Sequence, residues 1–356
     1  MELTTVWFIL IGVLWTGYFV LEGFDFGVGM LFPVLGGKRY SSDAADAEKR
    51  RRLMLNTIGP VWDGNEVWVL TAGGATFAAF PNWYATLFSG FYLPLLLILV
   101  ALILRNLGFE YRHKRPEQAW KSRWDLAIFW GSLVPALLWG VALTNIVRGV
   151  PIDADMEFTG NVFTLLNPIS LLGGVVFVAL FLTHGAIFVA LKTDGPIRQE
   201  ARGIATRTGV VAALLAVVLL VTLGLEDGKT ISWVTTAIAA IALLAGLGAN
   251  LRGREGWAFA GTAVTIAMAV ATYFLILFPN VMPSSTDAAF NLTVTNASST
   301  EYTLKVMTIV ALVLTPIVVL YQAWTYWIFR RRLSTANIPA DVRLELEPAR
   351  DEALRS

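Results

Sequence analysis

Residues 5–33 read TVWFILIGVLWTGYFVLEGFDFGVGMLFP, an apolar run broken only by Glu22 and Asp25. A helix that crosses a bilayer needs about 20 mostly apolar residues, so this stretch predicts a membrane span with two acids inside it. It does not read as a cleaved leader. Glu2 is the only early charge, no basic segment precedes the run, and it continues into Glu22-Gly23-Phe24-Asp25 with no small-residue cleavage pattern.

Working outward, eight more windows qualify: about 56–79, 84–109, 124–147, 164–191, 206–224, 231–251, 256–278 and 304–329. The 56–79 window is the least apolar, because Asp63, Asn65 and Glu66 fall within it. Composition agrees with this reading. The chain is 56% hydrophobic and 15% charged, whereas a soluble domain carries about 25% charged residues. Cysteine is absent, which excludes disulfides, thiolate metal sites, iron–sulfur clusters and cysteine nucleophiles. A net charge of +1 gives no basic footprint for nucleic acid. There is no Walker motif, Gly-rich dinucleotide loop, Ser/His/Asp set or HExxH, so a self-contained hydrolase or NTPase is not expected.

Charge placement gives a topology. The 36–55, 105–123, 192–207 and 252–254 connections and the tail from Arg330 hold 24 of the 27 Lys and Arg; Arg148, Lys229 and Lys305 occupy the alternate side. By the positive-inside rule the first set faces the cytoplasm. The N-terminus is then outside and the C-terminus inside, which requires an odd number of spans. The expected fold is an all-α polytopic membrane protein of nine transmembrane helices. Residues 1–335 form the integral membrane domain and 336–356 a cytoplasmic tail. The 279–303 loop contains N-x-S/T triplets at Asn291 and Asn296, which matter only in a eukaryotic secretory setting. A faint repeat relates Gly12-Val13 and Glu22-Gly23 to Gly174-Val175 and His184-Gly185, with Phe19 and Phe26 matching Phe181 and Phe188. It suggests two four-helix bundles plus one additional helix; the alternative is coincidence in apolar sequence.

Ionisable groups inside a span are costly and usually mark function. Tyr18, Glu22 and Asp25 are spaced i, i+4, i+7 and share one helix face, as do Asp63 and Glu66 at i, i+3. Gly23 and Gly27 make a small-xxx-small pair suited to close helix approach. The four carboxylates read either as a proton path or as structural acids bonded to neighbouring helices or to Arg105 and Arg123. His184 is the one histidine inside a span, and His113 lies in the basic run Arg112-His113-Lys114-Arg115. A lone helical histidine reads as a polar structural contact before it reads as a haem ligand, and one histidine cannot hold several haems. If the chain serves respiration, its redox centres must sit in a partner.

Several segments together carry a resemblance. They are Glu22-Gly23-Phe24-Asp25-Phe26-Gly27-Val28-Gly29; Gly59-Pro60-Val61-Trp62-Asp63-Gly64-Asn65-Glu66-Val67-Trp68; Ala72-Gly73-Gly74-Ala75; Phe77-Ala78-Ala79-Phe80-Pro81; Leu166-Asn167-Pro168; and Val281-Met282-Pro283-Ser284-Ser285. In this order the chain closely resembles subunit II of cytochrome bd-type quinol oxidases, over nearly its whole length. The resemblance implies a complex in the prokaryotic plasma membrane that oxidises quinol and reduces oxygen to water. Such a complex builds proton-motive force without pumping. Two haems b and one haem d would belong to subunit I, the partner, with no haem ligand and no metal in this chain. A small single-span accessory subunit, lipids and a structurally held quinone are further partners it allows. Asp63 takes the position of a proton-path aspartate, and Glu22 and Asp25 the acidic positions of the GFD segment. Trp68 would lie near an oxygen route. Glu66 stands where some members carry glutamine. The competing expectations are a proton-coupled secondary transporter, suggested by the repeat and the buried acids, and a purely structural scaffold.

Overall fold

The computed structural model describes residues 2–41 and 43–339. The chain runs through helices α1 (Leu3–Leu35), α2 (Ala44–Ile58), α3 (Trp62–Ala79), α4 (Pro81–Gly90), α5 (Tyr92–Tyr111), α6 (Gln118–Arg148), α7 (Val162–Leu165), α8 (Pro168–Lys192), α9 (Pro196–Asp227), α10 (Thr230–Leu251), α11 (Glu255–Leu277) and α12 (Glu301–Ile328). Among the described residues, eight helices are long and apolar enough to cross a membrane: α1, α5, α6 and α8 to α12. α3 has the length of a short span but carries Asp63, Asn65 and Glu66 in its first two turns.

Local chemistry sets the boundaries. Asn167 caps α8 by accepting from the Ser170 amide, and Pro168 fills the first helical position, where a missing N–H costs nothing. The 56–79 window is not one continuous helix. α2 ends at Ile58 because Pro60 cannot donate to the carbonyl four residues back, and its ring crowds that carbonyl. The 84–109 window is likewise divided into α4 and α5 around Phe91, since Pro94 leaves the Gly90 carbonyl without its helical donor. The 36–55 loop contains α2, a helix capped by Asp43, whose side chain accepts from the Asp46 amide. The 279–303 loop pairs β1 (Asn280–Met282) antiparallel with β2 (Leu292–Thr293). There the Asn291 side chain accepts from the Ser284 amide, and the Asn296 side chain donates to the Asn291 carbonyl.

α1 lies at the centre, packed against α3, α6, α8 and α11. α8 is its counterpart, packed against α9, α6, α11 and α1, while α5–α6 and α10–α11 form antiparallel pairs on either side. The helices therefore sort into a set α1/α3/α5/α6 and a set α8/α9/α10/α11, joined along α1 and α8. The residues of the faint repeat meet on this seam. Phe19 stacks with Phe181, with ring centroids 6.2 Å apart, and Glu22 and His184 are both fully buried. Gly27 and Gly185 let the two backbones touch, because a Cβ on Gly185 would come within 2.5 Å of Gly27 Cα. α12 lies outside both sets, resting on α1 and α3 with only Leu304 buried.

The bundle end that carries α2 is laced with ion pairs. Arg112 bridges Glu48 and Asp125 at 2.7 and 2.5 Å, Arg50 reaches Glu200 at 2.5 Å, and Glu255 holds Arg198 and Arg332 at 2.8 and 3.2 Å. Of the expected tail 336–356, residues 340–356 lie outside the described residues.

Candidate functional site

Three of the four sequence-nominated acids converge between α1, α3 and α5. Glu22 and Asp25 are fully buried one turn apart on α1. From α5, the Arg105 guanidinium, also fully buried, donates through Nη2 to Glu22 Oε1 and, at 3.4 Å, to Glu66 Oε2. Its neighbour Asn106 donates to both Glu66 oxygens at 2.9 and 2.8 Å. Phe26 and Phe109 flank the guanidinium, 4.8 and 5.3 Å from its carbon. A cation enclosed this way needs acidic partners, since an unpaired charge in such surroundings costs several kcal/mol.

A second row runs from Asp25 outward. Asn65 Nδ2 donates to Asp25 Oδ2 at 2.7 Å, and Asn65 Oδ1 accepts from the Tyr326 hydroxyl at 2.7 Å and from Gln322 Nε2 at 3.3 Å. Gln322 Oε1 in turn accepts from Trp68 Nε1 at 2.9 Å. Trp68 packs against α1, where a Cβ on Gly17 would overlap its ring. On the opposite side Trp139 Nε1 donates to the Tyr18 hydroxyl at 3.3 Å. Four helices, α1, α3, α5 and α12, thus feed one polar cluster inside an apolar bundle. Glu22 Oε2, Asp25 Oδ1 and Arg105 Nε and Nη1 are buried without a hydrogen-bond partner.

Asp63 does not join this cluster. It sits exposed in the first turn of α3, at the bundle end that carries α2, and makes no hydrogen bond or ion pair among the described residues. Of the two cations considered as partners for the acids, Arg105 is one. Arg123 is exposed and forms no ion pair among the described residues. The charge count groups Arg105 with the 105–123 connection, yet it lies within α5. The sequence marks Asn65 only as a polar residue of the 56–79 window and gives Asn106, Gln322 and Tyr326 no prominence. The available signals were the Arg105-Asn106 pair closing an otherwise apolar run, and Gln322 with Tyr326 at i, i+4 on the face α12 turns to α3.

The donor set does not suit a haem. His184 is fully buried, with Nδ1 2.6 Å from Thr262 Oγ1, Nε2 3.1 Å from the Val20 carbonyl, and the Phe259 ring stacked on it at 4.5 Å. Both ring nitrogens are engaged, leaving none to approach an iron.

Comparison with known proteins gives a consistent result. The family model described as cytochrome bd terminal oxidase subunit II matches residues 3–329. "Cytochrome bd ubiquinol oxidase subunit 2" of Bacillus subtilis is 44% identical over 338 residues, covering 94% of this chain and 97% of the relative. "Cytochrome bd-I ubiquinol oxidase subunit 2" of Escherichia coli K12 is 38% identical over 375 residues, covering 94% and 96%. The solved bd oxidase from Geobacillus thermodenitrificans has a chain of the same fold, with a TM-score of 0.75 at 18% identity over 92% of this chain and 99% of that one. Nothing in these comparisons supports the transporter reading. With its motifs, length and fold all matched, the chain belongs to the cytochrome bd terminal oxidase subunit II family.

Proposed function

We propose that this chain is the non-haem subunit of a quinol:oxygen oxidoreductase and that its buried acids carry protons toward a haem-bearing subunit I. The observation that carries this reading is the enclosed cluster Glu22–Arg105–Glu66 with Asp25–Asn65–Tyr326 beside it. Charges in the middle of an apolar bundle are kept where they serve an ion or proton route. In subunit I, two haems b and one haem d would supply the electron transfer and the oxygen reduction. This chain's residues would hold the partner, shield the site from bulk water and move protons.

The eight long apolar helices and α3 together make nine spans. The α2 end faces the cytoplasm, with the N-terminus outside and the C-terminus inside. Residues 1–335 are then the membrane domain and 336–356 a cytoplasmic tail. Asp63, at the cytoplasmic mouth, takes up protons. Asp25 and Glu22 lie deeper, and Arg105 fixes the charge balance between Glu22 and Glu66. Trp68, held by Gln322, borders an oxygen route. Uptake from the cytoplasm for water formation, with release of quinol protons outside, builds proton-motive force without pumping. The lipid-level faces of α3, α5 and α12 are the docking surface for subunit I, and a single-span accessory subunit or a structural quinone would be additional.

The test is made on the assembled complex. Asp25→Asn retains an oxygen that can accept from Asn65, and Asp63→Asn removes an exposed carboxylate. Both variants should assemble with the full haem spectrum. Quinol-driven oxygen consumption should fall about a hundredfold, the low end of what a lost proton-transfer group costs. Unchanged turnover with intact haem would leave the chain a scaffold.

A further inference from the structure

Between α2, the last turn of α5 and the segment leading to α6 lies a cavity of about 830 Å³. Its floor combines apolar Leu55, Ile58, Trp62 and Phe109 with the buried charges Glu48, Arg112 and Lys121, while the more exposed Arg52, Arg115 and Glu110 form the rim. The charges are not equivalent. Arg112 and Lys121 are committed to Glu48 at 2.7 and 3.2 Å, and Arg112 also to Asp125. Arg52 has only the Pro339 carbonyl at 2.8 Å, and Arg115 only the Trp120 ring at 4.6 Å. Neither forms an ion pair with an acid among the described residues. Glu110 is the one rim carboxylate that would oppose an anion.

From this arrangement we infer that the α2–α5 cavity holds the headgroup of an anionic phospholipid. The floor lies where α5 leaves its apolar stretch, so a ligand seated there keeps hydrocarbon on one side and water on the other. A phosphodiester fits the unpaired guanidinium groups of Arg52 and Arg115, because arginine matches phosphate oxygens with parallel N–H donors. The volume takes a headgroup with its glycerol, more than a free phosphate fills. Basic residues beside a membrane helix attract acidic lipid headgroups, and a pocket between helices turns that attraction into a site. The inference rests on the membrane placement of the bundle and on no part of the proton-path reading.

Native mass spectrometry of the assembled complex tests it, after exhaustive detergent washing and reconstitution with phosphatidylglycerol or with phosphatidylcholine. The wild-type complex should retain one phosphatidylglycerol and not phosphatidylcholine. Arg52→Gln with Arg115→Gln should weaken retention about thirtyfold, in keeping with two lost cation–headgroup attractions, while haem content and turnover stay the same. Arg52→Lys with Arg115→Lys, which keeps the charge and loses the parallel donors, should restore only part of it. Inorganic phosphate at millimolar concentration should not displace the lipid; if it does so stoichiometrically, the site is one for free phosphate and the proposal fails. Equal retention by wild type and the double glutamine variant, or a segment of subunit I filling the cavity in a map of the complex, would also overturn it.

Discussion

Arg105 donates to acids on two different helices and has no exposed surface, so its neighbours are fixed by charge as much as by shape. Removing one member of such a group leaves an uncompensated charge, at a cost of about 3–5 kcal/mol. Arg105→Gln should therefore impair assembly more than the double change Glu22→Gln with Arg105→Gln, which takes out both signs together. Thermal unfolding of the complex, followed through haem release, checks this: a double variant no better than the single one would show that Glu22 and Arg105 do not act as a pair. The acids of this group were visible in the sequence, since a carboxylate in an apolar run needs no alignment to be noticed. The partners were legible only in part: Arg105 stands out as one candidate cation, with Arg123 an equal rival. Arg105 lies near the end of its run, so loop and span explain it equally well, and Asn65 looks like any polar residue until α1 and α12 close on it.

At the level of elements, helix number and order follow from apolar length, and here the sequence windows and the helices agree to within a few residues at most ends of α1, α6 and α8 to α12, although α9 starts ten residues before its window. Prolines made the difference elsewhere, because Pro60 and Pro94 divide runs that hydropathy averages together. α2 escaped notice because its mixed charge looks like a loop. What orders it is a set of ion pairs, Arg50 to Glu200 and Glu48 to Arg112 and Lys121. Burial alone would raise the Glu48 carboxyl, but the hydrogen bonds and positive charge of Arg112 and Lys121 outweigh it and hold the group below its ordinary value of 4.5. A depressed carboxylate stabilises the fold above its unfolded-state pKa, and that stabilisation is lost as pH falls through the folded-state value. α2 should thus stay protected at neutral pH and loosen as the pH drops below about 4.5, and Glu48→Gln should remove the dependence. Hydrogen exchange across residues 44–58, corrected for its intrinsic pH dependence, reports it; an identical profile in the variant would rule Glu48 out.

For the molecule as a whole, most side chains of α12 and the outer face of α3 are exposed among the described residues. Gly73 and Gly74 have no atom within 4 Å of where a side chain would begin. Small residues on a helix face permit close approach by another helix, and the family's pairing with a second subunit supplies one. Gly73→Leu with Gly74→Leu should leave the isolated chain folded. It should reduce co-purification of subunit I about tenfold, the effect of overpacking by one to a few kcal/mol. Undiminished co-purification would move the interface elsewhere. The sequence could not reveal this face, because apolar residues facing lipid and apolar residues facing a partner have the same composition. Only the packing distinguishes α8, with most of its length enclosed, from α12, with one buried residue.

The enclosed charges also bear on how the chain is made. Glu22 and Asp25 emerge from the ribosome about 80 residues before Arg105. At roughly 5–20 residues per second that is a delay of roughly 4–16 seconds. Over that interval α1 carries two acids with no cation beside them, and an aspartate at a helix centre alone costs about 2.5–3.5 kcal/mol on insertion scales. Burial of α1 in lipid is therefore less favourable alone than once α5 supplies Arg105 and α3 supplies Asn65, so insertion of α1 should gain from the arrival of the later helices.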